Sequence, residues 1–189
     1  KVFFETPTVD WILKNQIIYD FSYEHCSYFS PSSLTTAFQI SGFEVKNIDL
    51  VFGGQYIWLE AVPSSKEVRI TKNPTKTIEL ANEYSSVENS LKATSFERVK
   101  TLSTKGKLGV WGAAGKGMTF VNLMDQEHQY IDSIIDLNPN KCGKFLPGTG
   151  HPIIPYNQIR DRGIKNIILM NPNYYEEIEK VFLEHPDAL

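Results

Sequence analysis

Acid, imidazole and phenol stand together at Tyr23-Glu24-His25, followed by Tyr28, Phe29 and Ser30. A carboxylate beside a histidine can orient and tune the imidazole near neutral pH, which is the requirement for a general base. The competing reading is a polar loop between two helices. A second constellation lies at Gly112, Gly115 and Gly117, where an apolar run breaks into glycines and resumes as a helix pattern around Lys116. About 20 residues further on, the apolar stretch 131–135 ends in Asp136, the layout of a nucleotide-binding βαβ unit with an acid placed for a ribose hydroxyl. The glycine order is GxxGxG, and Lys116 is followed by glycine, so the triphosphate-binding GxxxxGK[ST] pattern is not met. Backbone N–H groups at such a helix start still suit a phosphate, with Lys116 as a point charge. The alternative is that the glycines only let a helix approach a strand.

Further candidates follow the same edge. Asn138 and Lys141 open a long glycine-rich loop, 138–152, that ends in His151-Pro152. Loops of that length in compact domains are usually functional or mobile, and His151 could meet a phosphate or sugar. Asp136 and Asn138 compete as turn residues. Asn171 and Tyr174 follow another strand at its carboxyl end, where open α/β sheets bind ligands, although Asn171 is equally a helix cap. His128 and His185 read as solvated on helix surfaces.

These groups need elements to hold them. Residues 1–5 read as a buried strand with no preceding turn, as if the chain began in mid-domain. A helix is expected over 8–18 from Val9, Ile12 and Leu13, and another from Ser30-Pro31 to Ile40, closed by Gly42. Residues 43–51 and 55–62 are strands joined at Gly53-Gly54, the second alternating Ile57, Leu59 and Ala61 against Tyr56, Trp58 and Glu60. Leu80, Tyr84, Val87 and Leu91 recur at helical spacing. Strands at 108–113, 131–136 and 166–170, with helices from Lys116 and over 176–184, form a parallel α/β unit, the second helix turning Ile178, Val181 and Phe182 inward. The domain reading is 1–72, a linking helix over 73–105, and 106–189.

Composition limits the function classes. The 189 residues are 41% hydrophobic with a formal charge of −3, enough to build a core and without a basic footprint for nucleic acid. No apolar run approaches membrane-spanning length, so the chain reads as soluble and cytoplasmic. Cys26 and Cys142 lack CxxC spacing, which gives no support to a metal site.

The motifs converge when taken in order. Glu5-Thr6-Pro7, Tyr23-Glu24-His25 with Ser27 to Ser30, Gly53-Gly54, Trp111 to Gly117, Asp136 to Pro139, Lys141, Leu146 to Pro152 and Asn171 to Tyr174 together resemble the C-terminal part of the sugar C-methyltransferases. The resemblance spans nearly the whole chain. It implies the last strands of a class I methyltransferase sheet followed by a Rossmann-like domain that helps to hold a nucleotide-linked keto-deoxysugar. The S-adenosylmethionine site would lie mostly upstream of Lys1, as would a zinc-bearing segment, and this stretch alone would be inactive. His25 resembles the family's base for enolate formation and Glu24 its acidic neighbour. The family pattern carries a tyrosine three residues before the histidine, where Ser22 stands here, and Tyr23 is adjacent. Tyr23 is kept with His25 and Glu24 among the catalytic candidates, whereas Phe52 stands where many relatives carry histidine, so that contact is not carried over. A nicotinamide-dependent oxidoreductase, suggested by the glycine loop with Asp136, and a non-catalytic nucleotide-sugar-binding module are the alternatives.

Overall fold

The computed structural model describes residues 1–22, 25–65 and 75–186. It divides into two units, one comprising Lys1–Ile17 and Tyr23–Glu88, the other Ile18–Ser22 and Asn89–Leu189. Among the described residues no helix is long and apolar enough to cross a membrane.

The first unit is an antiparallel sheet with helices. Its elements are β1 (Val2–Pro7), α1 (Val9–Lys14), α2 (Pro31–Ile40), β2 (Phe43–Val51), β3 (Tyr56–Pro63) and the start of α3 (Thr75–Thr104). The strand order is β1-β3-β2, both pairings antiparallel. The alternation expected in β3 holds: Ile57, Leu59 and Ala61 are fully buried and form a core with Leu34 of α2. Helix α2 starts where Ser30 and Pro31 place it. The Ser30 hydroxyl accepts from the Ser33 N–H at 3.3 Å while the Ser33 hydroxyl accepts from the Ser30 N–H at 2.9 Å, a reciprocal cap.

Two expectations need correction here. β1 is a strand paired with β3, but Phe3, Phe4 and Glu5 are exposed in this chain and not buried as expected. Helix α1 is shorter than 8–18 because Gln16 turns left-handed at φ 56°. The Ile17 N–H then bonds the Ile12 carbonyl at 3.0 Å and the Gln16 N–H bonds that of Leu13 at 3.2 Å, the closure usually made with glycine.

The second unit is parallel, with β4 (Lys107–Trp111), α4 (Gly115–Met124), β5 (Ile131–Ile135), β6 (Ile153–Ile154), α5 (Ile159–Arg162), β7 (Ile164–Leu169) and α6 (Tyr175–Glu184). The order is β6-β5-β4-β7, with every pairing parallel, confirming the α/β class. Trp111, Ile135, Ile154, Ile159 and Ile164 form its core, and Ile178, Val181 and Phe182 of α6 pack on it as their spacing predicts. Strand β6 was not expected; it lies just after the loop 138–152. His128 is on a turn after α4 at φ 54°, not on a helix, and its ring stacks on His151 with centroids 3.7 Å apart. His185 caps the end of α6 against the ring of Tyr156.

Helix α4 approaches β4 closely. A Cβ at Gly117 would stand 1.8 Å from the Gly112 carbonyl oxygen, whereas one at Gly115 would meet nothing within 4 Å. Gly117→Ala therefore forces a backbone shift and should cost at least about 1–3 kcal/mol. Gly115→Ala should be neutral or stabilise by up to about 1 kcal/mol. Urea unfolding of the two variants checks this, and equal midpoints would contradict it.

Candidate functional site

The connection from β4 to α4 is tied down by its own backbone. Gly112 takes φ +111°, which glycine tolerates, and its N–H bonds the Ile135 carbonyl at 2.8 Å. Asp136 then accepts from the Ala113 N–H at 2.8 Å through one oxygen and from the Asn138 N–H at 2.8 Å through the other. Lys141 Nζ reaches the first of these oxygens at 3.2 Å. Asn138 in turn accepts from the Asn140 N–H at 3.0 Å. The acid at the strand end thus organises two turns and fixes the glycine loop.

A cleft of about 330 Å³ opens above this edge. Ala113, Ala114, Gly115 and Met118 line it from the start of α4, and Asn140, Lys141, Lys144, Phe145, Leu146 and Pro147 line it from the loop. Ala114 occupies the cap position of α4 and provides no side-chain acceptor for the first-turn N–H groups. Lys144 beside such a helix start favours an anionic ligand, whereas the Lys141 ammonium is already paired with Asp136. Of the residues singled out from sequence in this half, Gly115 and Lys141 line the cleft. Asn140, Lys144 and Phe145 were missed; they sit in the loop whose length drew attention, and the Lys141-x-x-Lys144 spacing was the available signal.

The remaining candidates are placed differently. Gly117 serves the close helix–strand contact. Lys116 Nζ donates to the carboxylate of Asp20. Asn171 accepts from the Asn173 N–H at 3.1 Å, capping the 3-10 turn Pro172–Tyr174, and Tyr174 is exposed. His25 is exposed in the first unit, its ring edge-on to Tyr28 at 5.7 Å. Tyr23 and Glu24 lie outside the described residues.

His151 is fully buried and braces the loop from inside. Its Nε2 lies 3.2 Å from Asp125 and its Nδ1 2.7 Å from the Thr149 hydroxyl. Asp125 also accepts the N–H groups of Gln129, Tyr130 and Ile131 at 2.7, 3.0 and 2.7 Å. Burial opposes ionisation of Asp125, but these three bonds and the one from His151 outweigh it and hold the carboxyl below its ordinary value. The acceptor character of Asp125 assigns the ring proton to Nε2, leaving Nδ1 to accept from Thr149. Burial pushes the His151 pKa down, against the pull of Asp125. The same loop is held outside by Asn122, whose Nδ2 donates to the Pro147 carbonyl at 3.0 Å.

Residues 67–184 match the family model described as the C-methyltransferase C-terminal domain. The chain is also 30% identical, over 199 residues and 97% of its own length, to the C-methyltransferase NovU of Streptomyces niveus. It spans about half, 47%, of the length of that relative.

The brace predicts a pH profile. A histidine whose folded pKa lies below its unfolded value contributes stability that is complete above about pH 6.5 and is lost as pH falls from there through the folded value. Asp125, shifted down from 3.8, adds a separate loss below that value. His151→Phe should lower stability at pH 7.5 by about 1–3 kcal/mol, since Asp125 loses a donor and Thr149 an acceptor. It should also flatten the fall that sets in below about pH 6.5. Denaturant midpoints across pH measure both, and an unchanged slope in the variant would refute the assignment.

Proposed function

Because the chain belongs to the C-methyltransferase family through its C-terminal domain, we propose that it is the C-terminal part of an S-adenosylmethionine-dependent enzyme that methylates carbon on a nucleotide-linked keto-deoxysugar. The observation that carries this reading is the family match itself, which extends from before β4 to the end of α6 and so takes in the cleft. A nucleotide-linked sugar brings two adjacent phosphates. Lys144 and the start of α4 suit them by charge.

Methylation next to a ketone needs a weakly acidic proton removed. His25, exposed and edge-on to Tyr28, is the residue we assign as the base, with Glu24 its acidic neighbour in the chain. A positioned base contributes about 10²–10⁴-fold to such a step. The methyl donor supplies an electrophilic methyl group to the resulting enolate. Asp136, standing where such folds put a ribose-binding acid, has both oxygens committed to Ala113, Asn138 and Lys141. The same commitment argues against the nicotinamide alternative. We place the donor site in the remainder of a longer protein, and the enzyme in the cytoplasm, a reducing setting that suits the free thiols Cys26 and Cys142.

In the full-length protein, deuterium should wash from solvent into the carbon beside the ketone, and His25→Ala should slow that exchange by about 100-fold or more. Unchanged exchange in a folded His25→Ala enzyme would remove the base. Lys144→Ala should raise KM for the nucleotide sugar by about tenfold with kcat retained, the loss of one charge-assisted contact. Steady-state kinetics that instead showed an unaltered KM would move the phosphates elsewhere.

A further inference from the structure

Within the parallel unit, the loop 138–152 folds back on itself as a short ribbon. The Gly143 N–H bonds the Ile153 carbonyl, the Ile153 N–H that of Lys144 and the Leu146 N–H that of His151, each at 2.8 Å. Phe145 pairs with Pro152 in the middle of this ribbon. Ile153 belongs to β6, which is paired with β5, so the ribbon is tied into the sheet.

Phe145 is nevertheless 68% exposed. An isolated apolar side chain at the surface needs no explanation. Phe145 is not isolated, because Met118, Pro147 and Ile153 line the same cleft and give it apolar walls. With backbone bonds on both sides of it, the ring is held at the cleft by the fold, and its face is left for something else to cover. Lys144 precedes it in the chain, and Asn140 lines the cleft as well. Asn140 commits its backbone N–H to Asn138, but its side-chain amide and the Lys144 ammonium have no partner among the described residues.

An aromatic ring, an amide and an ammonium at one cleft match the parts of a nucleotide. A planar base stacks on an aromatic face whatever its identity. A carboxamide offers its edge both donors and an acceptor, and an ammonium suits phosphate. The cleft, at about 330 Å³, has the size of a small-molecule site.

We propose that Phe145 and Asn140 form the nucleobase subsite of this cleft: the ring stacks on the base and the Asn140 amide bonds its edge, beside the phosphates at Lys144. This rests on the nucleotide-linked substrate of the proposed function and adds where its base is held.

The test uses the full-length protein and calorimetric titration with nucleoside diphosphates of the five common bases and with inorganic pyrophosphate, which carries the phosphates without a base. At least one nucleoside diphosphate should bind tenfold or more tighter than pyrophosphate. Phe145→Ala should weaken that nucleotide about tenfold and leave pyrophosphate within about twofold, while Phe145→Trp should retain most of the affinity. Asn140→Ala should weaken the nucleotide about threefold to tenfold, again without touching pyrophosphate. Because Phe145 is exposed, its alanine variant should keep the thermal midpoint of the parent protein. Nucleotide affinity unchanged in Phe145→Ala, equal losses for nucleotide and pyrophosphate, or no nucleotide binding by the parent protein would each overturn the subsite. Should the protein methylate no nucleotide-linked ketosugar, the proposed function fails separately, and a nucleotide-selective loss in Phe145→Ala still upholds the subsite.

Discussion

The parallel unit depends on one close approach, the Gly112 carbonyl oxygen lodged where a side chain at Gly117 would begin. Because α4 can come that near to β4, Ala113 is presented to Asp136 and Gly112 to Ile135, and the loop becomes a rigid edge. The first turn of α4 then stands open beside Lys141 and Lys144. A methyl group at Gly117 would displace this geometry at its root, and the cleft with it.

On the other side of the cleft the wall is held by polar groups, with His151 and Asp125 hidden from solvent and Asn122 at the surface. Asp125 gathers the turn after α4, His151 links it to Thr149, and Asn122 fastens Pro147. Buried polar networks of this sort specify one arrangement when every member is satisfied. The glycine-rich loop is therefore an ordered wall. The polar residues that sequence offered as ligands divide accordingly: Asp136 and His151 shape the cleft, Lys141 does so while also lining it, and Gly115 is left open to it.

What was legible in the sequence was local. Ser30, Pro31 and Gly42 mark both ends of α2, and the alternation of Ile57, Leu59 and Ala61 gives the buried face of β3. The order of strands and helices after residue 106 yields the parallel unit. What escaped depended on partners distant in the chain or on unusual local choices. Gln16 ends α1 in a conformation normally signalled by glycine, and β6 is two residues long. The burial of His151 follows from Asp125, 26 residues away, and nothing in the motif announces it. The different duties of Gly115 and Gly117 exist only once α4 is laid against β4. The pairing of Lys116 with Asp20, 96 positions earlier, is likewise unannounced by the glycine loop.

The central claim is carbon methylation of a nucleotide-linked ketosugar by the protein to which this chain belongs. Its most direct test is to supply the full-length protein with S-adenosylmethionine carrying an isotopically labelled methyl group, together with a nucleotide-linked keto-deoxysugar, and to locate the label by NMR. The account predicts a labelled methyl bonded to the sugar carbon beside the ketone. Label on oxygen or nitrogen, or no transfer to any such sugar, would contradict it.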